Sequence, residues 1–72
     1  MSVDGTVEIC VNGEHRRVPG AVTLVEMLNE IGVDAAKVAV ERNLAIVPRS
    51  SFGEVRVEDG DDFEIEHFVG GG

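Results

Sequence analysis

Only one cysteine occurs in this chain, Cys10, so no internal disulfide can form, and no Cys/His cluster suggests a structural metal. A lone cysteine also fits a reducing compartment. Tryptophan and tyrosine are missing, and phenylalanine appears three times, so the core must come from Val, Ile, Leu and those rings. Seventy-two residues make one domain, near the size at which a core alone is marginal. No apolar run approaches a bilayer span; Leu44-Ala45-Ile46-Val47 is among the longest. The opening Met-Ser-Val-Asp-Gly has neither a basic region nor an apolar stretch, so no signal peptide is expected. The resulting expectation is a soluble, cytoplasmic protein, a monomer on its own. Basic residues are scarce too, six against fourteen acidic, for a net charge of −8. Nucleic acids and anionic membranes are held by Lys and Arg, so neither is expected as a partner. The acidity serves solubility, or steers the chain toward a basic protein.

What the sequence does have is glycine at one end. It closes on His67-Phe68-Val69-Gly70-Gly71-Gly72. Residues without a Cβ add nothing to a core and lose the most backbone entropy when ordered. Such a tail suits a slot too narrow for side chains, with the Gly72 carboxylate as its leading group. From Phe68 to Gly72 the reach is at most roughly 17 Å. The carboxyl, with a reference pKa of about 3.5, is ionised and inert until activated. This reads as a carrier whose chemistry happens at Gly72, with Gly70 and Gly71 threading and Phe68 and Val69 anchoring against a partner. The competing reading is a frayed terminus.

Ahead of the tail the patterning is that of a small α+β domain. Val7, Ile9 and Val11 alternate with Glu8 and Cys10, a half-buried strand over Thr6 to Val11. Asn12-Gly13 is a type I′ hairpin signal. It pairs Val11 with Glu14, Cys10 with His15, Glu8 with Arg17 and Val7 with Val18, and Pro19-Gly20 ends the second strand. Thr23 and Glu26 form a capping box, and Val22 can staple onto Met27. Leu24, Met27, Leu28 and Ile31 make one apolar stripe, with Gly32 at the C-cap. After a connector from Asp34 to Lys37, Val38 to Arg42 is a third strand. Asn43-Leu44 turns into a short fourth, Ala45 to Val47, and Pro48 suits its end. Phe52 is expected to plug the core from a loop or single turn. Val55 and Val57 alternate weakly before the acidic turn Glu58-Asp59-Gly60-Asp61. Asp62 to Phe68 is the last strand, with Phe63, Ile65 and His67 inward and Glu64 and Glu66 outward. Hairpin, helix, then further strands is the β-grasp order: a mixed sheet of four to five strands with one main helix on one face. Residues 1–67 form the domain and 68–72 a flexible tail.

Other candidate chemistry is thin. Cys10 and His15 face each other across the first hairpin, but two ligands are too few for structural zinc, and no orienting group completes a nucleophile. His67 reads as a strand residue. Glu58, Asp59, Asp61 and Asp62 lack calcium-loop spacing and read as a solvated turn. Phe68 has the outward parity of Glu64 and Glu66; it is either exposed at the root of the tail or folded over the sheet edge.

The segments Val38-Ala39-Val40-Glu41-Arg42-Asn43, Ile46-Val47-Pro48-Arg49, Asp59-Gly60-Asp61 and Glu64-Ile65-Glu66-His67-Phe68-Val69-Gly70-Gly71-Gly72 together resemble the ThiS family of sulfur carriers in thiamine biosynthesis. The likeness runs over nearly the whole chain. It implies that an adenylyltransferase, ThiF, uses ATP and magnesium to activate Gly72. Sulfur relayed from a cysteine desulfurase then makes a thiocarboxylate, and thiazole synthase, ThiG, receives the sulfur. The carrier needs no cofactor of its own and is not an enzyme. The same tail also fits a MoaD-like small subunit of molybdopterin synthase or a ubiquitin-like protein modifier.

Overall fold

Asn12 and Gly13 both take positive φ, 51° and 82°, as a two-residue type I′ turn requires. In the computed structural model, which describes residues 5–68, this turn joins β1 (Thr6–Val11) to β2 (Glu14–Pro19). The antiparallel register pairs Val11 with Glu14, Cys10 with His15, Glu8 with Arg17 and Val7 with Val18. It is the register that the turn dictates.

The helix α1 (Leu24–Glu30) starts and stops where its caps say. Glu26 N–H donates to the Thr23 hydroxyl at 3.2 Å, and Thr23 N–H donates to the Glu26 carboxylate at 2.8 Å. At the other end Gly32, at φ 85°, donates to the Asn29 carbonyl and Val33 to that of Leu28. This is a Schellman closure that favours glycine at its left-handed position. Leu24, Met27 and Leu28 are fully buried. Burying each contributes about 1.5–3 kcal/mol.

The remaining strands are β3 (Val38–Arg42), β4 (Ala45–Ile46) and β5 (Asp62–His67). The sheet order is β2-β1-β5-β3-β4, with β1 and β5 parallel and the other pairs antiparallel. β2 and β3 therefore run in the same direction, and α1 crosses the two strands between them. Ile9 and Val11 of β1 meet Phe63 and Ile65 of β5 beneath it, with Val18, Val38, Val40, Phe52 and Val57 completing the core. One face of the sheet is covered and the other is open, as expected of a β-grasp.

β5 ends at His67 rather than Phe68, and two further stretches depart from expectation. β4 ends at Ile46 rather than Val47: the Val47 N–H still donates to the Val40 carbonyl, but Pro48 follows and the chain turns in. Val55 and Val57 join no strand of the sheet. They pair with the approach to α1, where Leu24 N–H donates to Val55 O and Val57 N–H donates to Val22 O. Among the described residues no helix is long and apolar enough to cross a membrane.

Candidate functional site

β5 is the central strand, so whatever follows His67 leaves from the middle of the sheet. Phe68 N–H donates to the Lys37 carbonyl at 3.0 Å, one step past the Val38–His67 pair. Phe68 is 60% exposed. The Arg49 guanidinium lies 5.5 Å from its centroid and 5.7 Å from that of the buried Phe52. Phe68 is thus exposed, yet it is not without a contact. Val69, Gly70 with Gly71, and Gly72, expected from sequence as anchor, threading residues and carrying group respectively, lie outside the described residues.

On the open face the register brings like charges together. Glu41 stands directly opposite Glu64, and Ala39 opposite Glu66. Like charges in that position destabilise a sheet. Ile46, paired with Glu41, sits on the same face and is 77% exposed. Ala39, Glu41, Ile46, Glu64 and Glu66 line an open groove of about 610 Å³ with Asn12 at one end. Beside it Leu44 tips the β3–β4 hairpin, 86% exposed and at φ 72°. A bulky residue in the left-handed region is an outlier, here imposed by the two-residue turn that Asn43 and Leu44 form between β3 and β4. The face offers an apolar strip bordered by three carboxylates. Such a surface complements apolar protein ringed by Lys or Arg.

Neither Leu44 nor Ile46 is among the site residues expected from sequence. The signal was there: the second position of a two-residue hairpin turn demands positive φ, and Leu sits in it.

The hairpin is fixed from below by a buried carboxylate. Asp61, 6% exposed, accepts from Arg42 Nε at 3.0 Å, from Glu58 N–H at 2.9 Å and from Asn43 Nδ2 at 3.2 Å, and Arg42 Nη2 lies 2.9 Å away as an ion pair. The hydrogen bond to Asp61 is the main cause of the raised Arg42 pKa, against a desolvation that lowers it. Asn43 also accepts from Asp62 N–H at 2.9 Å. Reading Glu58 to Asp62 as one solvated turn is therefore corrected at Asp61. Three donors and an ion pair converge there, and burial of a carboxylate is tolerated when its lone pairs are used.

Cys10 and His15 face each other in the ladder, Cys10 half-buried and His15 exposed. His67 keeps the inward parity but lies exposed at the end of β5, beside Ile31, Val33 and Arg16. Among the described residues no group of three His, Cys, Asp or Glu side chains could hold a metal ion.

Comparison with known proteins converges. The model of the ThiS family matches residues 9–72. A thiazole synthase of Paramagnetospirillum magneticum is 52% identical over 66 residues, 92% of this chain but 20% of that protein; the chain thus spans about a fifth of that relative's length. The sulfur carrier protein ThiS of Bacillus subtilis is 40% identical over 50 residues, 69% of this chain and 76% of that one. Among solved structures, the crystal structure of the thiamine biosynthesis protein ThiS from Geobacter metallireducens superposes with a TM-score of 0.77 at 32% identity, covering 92% of this chain and all of that one.

Proposed function

This chain belongs to the ThiS family, the sulfur carriers of thiamine biosynthesis, and from that premise we propose that Gly72 is the group that is activated and that carries sulfur. The observation that carries the proposal is the position of the root. Phe68 leaves the central strand exposed and tethered, and the sequence beyond it is Val-Gly-Gly-Gly.

The chemistry needs no side chain of the carrier. The Gly72 carboxylate attacks the α-phosphorus of ATP on a ThiF-like enzyme, and pyrophosphate leaves. This converts an inert carboxylate into an acyl group with a good leaving group, AMP. Magnesium, bound with the ATP, offsets repulsion between the two anions. A persulfide sulfur, drawn from cysteine by a desulfurase, then displaces AMP. Reduction of the acyl disulfide by a thiol leaves the thiocarboxylate. A ThiG-like thiazole synthase is the recipient. A carrier-like segment within a much longer relative named thiazole synthase supports that partnership.

The carrier's own task is recognition. Leu44 and Ile46 supply apolar contact, while Glu41, Glu64 and Glu66 fix orientation against a basic rim. Complementation is the test. The gene should restore thiamine-independent growth to a strain lacking its thiazole sulfur carrier. Rescue of molybdenum-cofactor synthesis without rescue of thiamine auxotrophy would contradict the reading.

A further inference from the structure

Phe68 is exposed and apolar, so burial alone does not hold it. Its ring rests against the guanidinium of Arg49, and its N–H donates to the Lys37 carbonyl. Arg49 in turn is anchored three times over. Nη1 donates to the Ala35 carbonyl at 2.6 Å, Nη2 donates to the Val38 carbonyl at 3.0 Å, and the guanidinium lies 5.7 Å from the buried Phe52 ring. Lys37, which receives Phe68, sits between those two carbonyls in sequence. One cation therefore ties the start of β3, the loop after β4 and the last described residue into a single corner.

We propose that Arg49 is a positioning residue: it clamps the Phe68 ring and so fixes where, and in which direction, the tail leaves the domain. The inference rests on the carrier reading of Gly72. Four residues follow Phe68, a reach of at most roughly 14 Å, so an angular error at the root is magnified at the carboxylate. Misplacement by about 1 Å can cost about 100-fold in rate. Fixing the root beforehand also removes part of the ordering cost that would otherwise fall on the encounter. Arginine suits the task for a chemical reason. Its planar guanidinium can donate at its edge to two carbonyls while its faces meet aromatic rings. A lysine ammonium has neither the fork nor the face.

Arg49→Ala, Arg49→Lys and Phe68→Ala, and the double alanine variant, decide the matter through two readouts. The first is ¹⁵N relaxation at the Phe68 amide. Its order parameter should fall in Arg49→Ala and Arg49→Lys while β1, α1 and Phe63 keep theirs. The second is steady-state adenylation by the activating enzyme. Both Arg49 variants should lose about tenfold in kcat, within the range of positioning effects, with KM changed less than about twofold. In the Phe68→Ala background, Arg49→Ala should do nothing further, because the arginine acts through that ring. An unchanged Phe68 order parameter overturns the clamp. A loss that falls wholly on KM, or one that multiplies with Phe68→Ala, also overturns it, because either makes Arg49 a contact with the enzyme. If the unaltered chain is not adenylated at all, the carrier reading fails instead, and relaxation alone judges the clamp.

Discussion

The Asn12 side chain and the Ile65 backbone exchange two hydrogen bonds: Asn12 Nδ2 donates to the Ile65 carbonyl at 3.0 Å, and the Ile65 N–H donates to Asn12 Oδ1 at 2.7 Å. The Asn12 N–H, meanwhile, donates to the Phe63 carbonyl. Its main chain thus ends the β1–β5 ladder, and its carboxamide adds one more rung, while its φ of 51° serves the hairpin. Asn12→Gly keeps the positive φ and removes only the rung. Destabilisation by about 1–3 kcal/mol is expected, the usual cost of orphaning such groups, with faster hydrogen exchange at Ile65 N–H. Unchanged stability and exchange would mean that water replaces the carboxamide without cost.

Leu44 sets stability against recognition. Leu44→Gly relieves a left-handed leucine, a conformation that costs about 1–2 kcal/mol, and removes an exposed apolar side chain. The variant should melt higher and bind the activating enzyme more weakly. A variant that melts higher and binds equally well would remove Leu44 from the docking face.

Much of this was legible beforehand, because local chemistry is specific where it is short-range. Asn12-Gly13 sets a register, and Thr23 with Glu26 sets a helix start. The β-grasp order followed from those elements. What sequence hid were long-range meetings. Asp61 lies in an acidic run that reads as solvated, and only the approach of Arg42 and Asn43, nearly twenty residues earlier, makes it a buried hub. Arg49 looked like an ordinary residue after a proline, because the carbonyls of Ala35 and Val38 and the ring of Phe68 reach it only through the fold. The opposition of Glu41 and Glu64 depends on the β3–β5 register, which no turn dictates.

The cap of α1 gives a pH dependence of known sign. Hydrogen bonding to the Thr23 backbone N–H, then to the Thr23 side chain, lowers the Glu26 pKa below the ordinary carboxylate value. A depressed folded-state pKa stabilises above the unfolded value and is lost as pH falls through the folded one. Glu26→Gln keeps the shape without the charge. Its melting temperature should lie below that of the unaltered chain at neutral pH, and the gap should close on acidification. A gap independent of pH would mean that the charge adds nothing to the cap.

The open face should be read electrostatically by its partner. Replacing Glu41, Glu64 and Glu66 together by Gln should weaken association with the activating enzyme and flatten its salt dependence, since screening acts within about 10 Å at 0.1 M. The domain itself should lose no stability, because the Glu41–Glu64 opposition is repulsive. A triple variant whose binding matches the original at every salt concentration would exclude this face from docking.

The most direct test is the intact mass of the chain, and of Cys10→Ser, after incubation with ATP, magnesium, a cysteine desulfurase and a ThiF-like enzyme. One exchange of oxygen for sulfur, mapped to the peptide that ends at Gly72 and equal in both proteins, is the expected result. Sulfur found on Cys10, or an ATP-dependent link from Gly72 to a lysine in place of sulfur, would contradict the carrier mechanism.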